Sequence, residues 1–356
     1  MSDLDADLLD SSALLKRHAE LEESYGDGDG GRFLSGWQCE NPWAGDLKSR
    51  ITEARTTLAD ENYQNLDDDS LILEGLREFH ALMDRKAPSA LFCGEGASAL
   101  LFTTCAWLKT KGIKEVFYIP PLYFSLHFAL NLLGIRARPV SGRQAYESAF
   151  TLNLPNQTAA LLLSDPIWYA GIAVEEELVK QIDRWQRRTE SFVFVDGSFQ
   201  YMKWHGVQQE PTSSLSHDRT VRVICPTKLL ALHGYRFAHA TLPESIRADF
   251  SRIYTNLYGS ASAESLAFGR VAVTALREQK LTSLLVELIA SRHQALRLGG
   301  KISADWQANC GYFVFERILA PLPKNSVMMD GTFFQQKRYP NHHRINLLSP
   351  SIGLLG

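Results

Sequence analysis

The stretch VRVICPTKLLALHGYRFAHA, residues 221–240, decides how this chain is read. Its opening is apolar apart from Arg222, as expected for a buried strand, and it breaks at Pro226. Thr227 and Lys228 follow, and Arg236 comes after a glycine. A lone lysine nearly always faces solvent. This one lies between an apolar strand and the apolar run Leu229–Leu232, where a desolvated amine can act as a nucleophile. Thr227 and Arg236 can hold a phosphate, the arginine as a two-pronged donor. The bland alternative is a lysine and an arginine flanking a surface loop.

Working outward, SFVFVDGSF (191–199) is a buried strand ending in Asp196, where open α/β sheets bind ligands. A buried carboxylate needs a partner, such as a protonated ring nitrogen; otherwise Asp196 is a turn or capping residue. LFCGEGASALLF (91–102) passes from strand through a glycine turn into a helix, so amides at the helix start can cradle an anion. Alone it is a weak signal, because GEG lacks the full dinucleotide or Walker spacing. EVFYI (115–119), IRARPV (135–140) and AALLLS (159–164) read as further strands, several apolar throughout, as in a parallel sheet covered on both faces. Val174, Leu178, Ile182 and Trp185 give the helix before SFVFVD one apolar side.

The expected fold is α/β: a three-layer sandwich with a mostly parallel central sheet, plus a smaller α/β domain drawn from both chain ends. Residues 1–60 are expected to form an N-terminal arm and small-domain contribution, 61–265 the large sheet domain, and 266–356 the C-terminal small domain. Residues 1–32 read as a helix followed by the break GDGDGG. In LILEGLREFHALM, Leu71, Leu73, Leu76, Phe79 and Leu82 recur near helical spacing. The run from Phe268 to Leu296 lacks proline and, after Gly269, glycine, and reads as one long helix bridging the domains. GYFVFERIL (311–319) and RINLL (344–348) are strands.

The 356 residues, 45% hydrophobic, suffice for a large core. A net charge of -3 and the absence of basic blocks argue against a nucleic-acid partner. There is no signal-peptide pattern and no uncharged apolar run of ~18 residues, so a membrane span is not expected. Cys39, Cys93, Cys105, Cys225 and Cys310 form no CxxC pair, which indicates neither a zinc site nor a redox dithiol and fits a reducing cytoplasm.

A glycine turn, a strand-end acid and a lysine followed by an arginine form an ordered set. In that order the chain resembles the fold-type I pyridoxal-phosphate enzymes, class I/II aminotransferases, closest to histidinol-phosphate aminotransferase-like proteins and their relative threonine-phosphate decarboxylase. The resemblance runs over about residues 35–350. ENPWAG (40–45) resembles the asparagine-proline loop, which implies Asn41 near the substrate. GEGAS implies phosphate contacts from Gly96, Ala97 and Ser98. YIPPLYFSLH implies that Tyr123 stacks on the pyridine ring, and VDGSF that Asp196 pairs with its nitrogen. PTKLLALHGYR implies that Lys228 carries pyridoxal 5'-phosphate, with Thr227 and Arg236 at its phosphate. ANCGYFVFERI resembles a small-domain strand, and RINL implies that Arg344 grips the substrate carboxylate. Tyr63, in ENYQN, resembles a tyrosine that reaches the phosphate of a neighbouring subunit.

Two positions depart from the family. DPIWYAG places Trp168 where an asparagine normally meets the cofactor's phenolic oxygen, and Phe199 stands where a tyrosine does. Tyr169 or Tyr201 could substitute after a shift in register. The resemblance implies a homodimer with shared sites, an α-amino acid substrate and a keto-acid co-substrate. It implies amino transfer with Lys228 as base. The departures leave room for a lyase, decarboxylase or cyclase. A third possibility is a non-catalytic homologue, either a cofactor-dependent sensor or a degenerate one.

Overall fold

The computed structural model describes residues 16–17, 20, 32–59, 62–206, 209–322, 326–334 and 336–355. Most of the expected N-terminal helix and its glycine-rich break lie outside these residues, although Lys16, Arg17 and Glu20 are helical.

After the short strand β1 (Arg32–Phe33) come the seven strands of the central sheet. They are β2 (Ala90–Gly94), β3 (Glu115–Tyr118), β4 (Arg136–Pro139), β5 (Ala160–Ser164), β6 (Phe192–Asp196), β7 (Thr220–Ile224) and β8 (Ala238–Leu242). Their order is β2-β8-β7-β6-β5-β3-β4. β8 runs antiparallel to both of its neighbours, and the other six strands share one direction. β5 and β7 are buried at every position, because helices cover both faces.

The helices, in chain order, are α1 (Ala44–Thr56), α2 (Ser70–Met83), α3 (Ala97–Thr110), α4 (Phe124–Leu132), α5 (Glu176–Thr189), α6 (Pro226–Leu229), α7 (Glu244–Tyr258), α8 (Ala263–Glu278) and α9 (Lys280–Leu298). On one face, α3, α4 and α7 pack against Phe92, Leu162, Phe194, Val221 and Val223. On the other, α1, α2 and α8 cover Leu91 and Cys93, while α5 covers Leu161, Leu163, Val193 and Val195. Successive strand residues thus feed opposite layers. Each large apolar side chain so buried stabilises the fold by about 2 kcal/mol.

Two expectations need correction. The buried face of α2 is Ile72, Leu76, Phe79 and Met83, whereas Leu71 and Leu82 are 60% and 57% exposed. The Asp69 side chain caps this helix by accepting from the Ile72 amide at 3.0 Å. The long helix is two: the chain turns at Gln279, whose φ of 55° is left-handed, between α8 and α9. α1 and α8 pack together on the large sheet.

The smaller sheet has the order β11-β12-β9, from β9 (Phe313–Arg317), β11 (Met329–Asp330) and β12 (His342–Asn346), all antiparallel. β10 (Ser326–Val327) pairs in parallel with β1, so both ends of the described chain meet there. All five cysteines are free thiols. Among the described residues no helix is long and apolar enough to cross a membrane, and no group of His, Cys, Asp and Glu could hold a metal ion.

Candidate active site

The parallel strands deliver their C-terminal ends to one edge of the sheet. Gly96 follows β2, Tyr123 follows β3, Trp168 follows β5, Asp196 ends β6, and Lys228 lies just beyond β7. This edge is where open α/β sheets bind ligands.

Lys228 sits in the single turn of α6, its amine 4.4 Å from the Phe199 ring centroid, 5.2 Å from Trp37 and 6.0 Å from Tyr123. Burial pushes its pKa below the ordinary lysine range, aided by Arg236 and Arg344 and opposed by Cys225 and Asp196. The amine is therefore closer to its neutral, nucleophilic form than a surface lysine. Asp196, 4% exposed, accepts from the Ser198 amide at 3.2 Å and from its hydroxyl at 2.5 Å.

Gly96 caps the N-terminus of α3 with a φ of 89°. A Cβ at this position would lie 2.6 Å from Arg236 Nη2. The guanidinium thus rests against a turn only glycine can make, beside first-turn amides that have no partners within the helix. A guanidinium and the amide-rich start of a helix therefore lie side by side. Gly96 and Ala97 are buried, but Ser98 is exposed. Thr227 is buried with its hydroxyl 3.1 Å from Cys225 Sγ.

Trp168 is 4% exposed, its Nε1 has no partner among the described residues, and its ring meets Tyr123 edge-on at 5.3 Å. The tyrosines suggested as substitutes are engaged elsewhere. The Tyr169 hydroxyl is 3.1 Å from that of Tyr146. The Tyr201 hydroxyl donates to Asp84 at 2.8 Å and accepts from Arg222. The shift in register is therefore not seen, because both hydroxyls already belong to buried networks.

The remaining positions vary in their fit. Asn41 does not offer its amide to the site: it donates to the Leu230 carbonyl at 2.7 Å and accepts from the Trp43 amide at 2.9 Å, bracing the lysine loop. Arg344 is fully buried, and its Nε and Nη2 both donate to the Ser35 carbonyl, at 3.1 and 2.6 Å. Tyr63 is 91% exposed. Its neighbour Gln64 pairs with Ala261, and the next amide, that of Ser262, donates to Glu95 in the glycine turn at 2.7 Å. Within one chain Tyr63 does not reach the site. His342 binds Asp305 at 3.0 Å, which makes it structural. His233, its pKa lowered to about 4 by burial and by Lys228 and Arg236, is 2.8 Å from the Tyr312 hydroxyl. Trp37 was missed by the sequence reading, since a tryptophan before a loop carries no spacing signal.

Pyridoxal phosphate fits these residues. The Gly96–Arg236 turn would suit its phosphate, Asp196 its ring nitrogen, and the Trp168 Nε1–H, without a partner among the described residues, its phenolic oxygen. β2 carries that turn on one side of Lys228 and β5 carries Trp168 on the other.

No protein-family profile and no curated protein matches the sequence. Solved structures do match in shape. A methionine aminotransferase of Escherichia coli superposes with a TM-score of 0.76 at 14% identity, over 100% of this chain and 95% of that one. A probable N-succinyldiaminopimelate aminotransferase of Thermus thermophilus gives 0.76 at 16%, over 97% and 96%. An aspartate aminotransferase of Thermotoga maritima gives 0.76 at 16%, over 100% and 97%. The expected fold, the three-layer α/β architecture of fold-type I, is therefore the one adopted.

Proposed function

We propose that this chain is a pyridoxal-phosphate-dependent aminotransferase acting on an α-amino acid, with Lys228 as its reactive lysine. The observation that carries this reading is the buried, pKa-lowered Lys228 amine set among Asp196, the Gly96–Arg236 turn and Tyr123.

When bound, pyridoxal phosphate supplies an electrophilic carbon for amines and a ring that accepts the electron pair left at the substrate's α-carbon. Lys228 would anchor the cofactor through its amine and, once released, would act as the base that takes the proton from the substrate's α-carbon. The Asp196 carboxylate would hold a proton on the ring nitrogen. Arg236, Thr227 and the first-turn amides of α3 would bind the phosphate, Tyr123 would stack on the ring, and Arg344 would orient the substrate carboxylate.

Several finer features belong to the same reading. The ordered motifs favour the histidinol-phosphate aminotransferase-like group. The exposed Tyr63 ring beside the glycine turn supports a homodimer whose partner uses it. Five unpaired thiols support a cytoplasmic setting. The same reading divides the chain into an N-terminal arm and small-domain contribution at 1–60, a large cofactor-binding domain at 61–265 and a C-terminal small domain at 266–356.

The test is covalent capture. Incubation with pyridoxal phosphate followed by borohydride should fix one cofactor on the peptide carrying Lys228. Lys228→Ala should abolish that adduct and lower turnover by ~1,000-fold or more. An unmodified wild-type peptide, or full activity in the variant, would sink the assignment. A lyase, decarboxylase or cyclase is favoured by one observation, the replacement of the usual polar groups by Trp168 and Phe199. Incubation with one amino acid and no keto acid separates the two readings: a transaminase stops after one stoichiometric half-reaction, whereas a lyase keeps turning over.

A further inference from the structure

Lys228 and Arg236 stand at the two ends of one loop, which leaves the single turn of α6 after Leu229. The loop is not a shape the chain adopts unaided. Ala231 within it has a φ of 47°, in the left-handed region that is unfavourable for any residue with a Cβ. Such a conformation persists where the surroundings over-determine it.

Three parts of the fold hold the loop. From the segment before α1, the Asn41 side chain donates to the Leu230 carbonyl at 2.7 Å. From α8, Phe268 stacks on the Tyr235 ring, the centroids 4.9 Å apart and the planes within 14°. From the smaller sheet, the Tyr312 hydroxyl lies 2.8 Å from Nε2 of His233, in the middle of the loop. Burial lowers the His233 pKa to about 4, so the imidazole is neutral near pH 7 and the contact is not an ion pair.

Tyr312 immediately precedes β9 and is fully buried. Its backbone is tied down on both sides. The Leu347 amide donates to its carbonyl at 2.8 Å, and the Gly311 amide donates to the Met202 carbonyl at 3.0 Å. The Tyr312 ring also meets Phe199 edge-on at 5.0 Å, and Phe199 is itself 4.4 Å from the Lys228 amine. One anchored side chain thus reaches the surroundings of Lys228 by two routes, through the Phe199 ring and through the His233 loop.

We infer that Tyr312 is a positioning residue for the cofactor: its hydroxyl, through His233, holds the loop that sets the spacing between the Lys228 amine and the Arg236 guanidinium. This rests on the aminotransferase reading above and deepens it. Pyridoxal phosphate must meet both groups at once. A loosened loop leaves only a fraction of molecules with both in place, and the apparent affinity falls by that fraction.

The experiment measures the equilibrium Kd for pyridoxal phosphate by visible absorbance, beside the thermal unfolding midpoint. Tyr312→Phe keeps the ring and its contact with Phe199 and removes the hydroxyl alone. It should raise the Kd ~5-fold or more, while the KM for an amino-acid donor in the cofactor-saturated protein changes less than ~2-fold. His233→Leu should raise the Kd by a similar factor. The double variant should be no worse than about either single one, because both remove the same contact. Tyr201→Phe is the control for a purely structural role. It also deletes a buried hydroxyl, one that donates to Asp84, and should lower the unfolding midpoint without changing the Kd. Should Tyr312→Phe fail to fold, His233→Leu against wild type and the control carries the comparison. An unchanged Kd, additive effects in the double variant, or an equal rise in Tyr201→Phe overturns the inference, while capture on wild-type Lys228 leaves the aminotransferase reading standing. Failure of wild-type capture overturns that reading first, and this inference with it.

Discussion

An indole N–H donates and cannot accept, so the Trp168 Nε1, without a partner among the described residues, is a donor available to the oxygen of a bound ligand. Donation to a phenolic oxygen stabilises its deprotonated form. Removing the donor should therefore raise the pH midpoint of the bound cofactor's visible absorbance. For Trp168→Phe the rise should be about one unit, the size of one hydrogen bond. A midpoint that stays in place in a spectroscopic titration would show that the indole serves some other group. Lys228, Asp196 and Gly96 were legible in the sequence because each stands at a strand end with a recognisable neighbour. Trp37 was not, because the carbonyls on either side of it accept from the Asn346 side chain, which the smaller sheet brings to it.

At the scale of elements, the turn that carries Trp168 is sewn on both sides. Asp165 accepts from the Val174 amide at 2.9 Å, the Gln200 side chain at 3.0 Å and the Thr212 hydroxyl at 2.9 Å. The Gly171 carbonyl accepts from the Asn309 and Cys310 amides at 2.9 and 3.1 Å, which ties the turn to the smaller sheet. Gly171 itself has a φ of 64°, and a Cβ there would lie 2.2 Å from the Phe313 carbonyl oxygen. That oxygen belongs to the backbone, as does the Cys310 carbonyl oxygen 2.7 Å away, so neither can yield cheaply. Gly171→Ala should cost about 3 kcal/mol or more, read as a lowered midpoint in thermal or urea unfolding. Gly112→Ala is the control: its φ of 73° is also left-handed but nothing lies within 4 Å, so it should cost only about 1 kcal/mol. Most elements were legible from periodicity; the exceptions are the buried face of α2 and the break at Gln279. A non-glycine left-handed residue gives no local warning, and packing of α8 on the large sheet decides the break.

Across the whole molecule, a buried polar network joins α2 to the sheet beneath the site. His80 Nε2 lies 2.9 Å from His239 Nε2, and its Nδ1 lies 3.0 Å from Asp84. Arg222 reaches the same Asp84 oxygen at 3.0 Å. Burial works against the Asp84 charge, but Arg222, His80 and Tyr201 outweigh it and lower the carboxyl pKa to about 2 from 3.8. The folded pKa is the lower one. The stabilisation is therefore complete above pH 3.8 and is lost as the pH falls through about 2. It amounts to about 2 kcal/mol. Arg222→Met should remove this acid dependence and destabilise the protein by about 3 kcal/mol near neutrality, since it leaves Asp84 buried without its cation. Acid-unfolding curves of equal steepness for variant and wild type would disprove the linkage. The sequence by itself determined the layered α/β fold and the order of the chemical groups along the sheet edge. Strand hydrophobicity, turn glycines and strand-end polar residues are local properties of the chain. Only the tertiary structure decided which donors remain free, which tyrosines are already engaged and what holds the loop between Lys228 and Arg236. Those outcomes depend on contacts between residues far apart in the chain, and no spacing rule reaches across them.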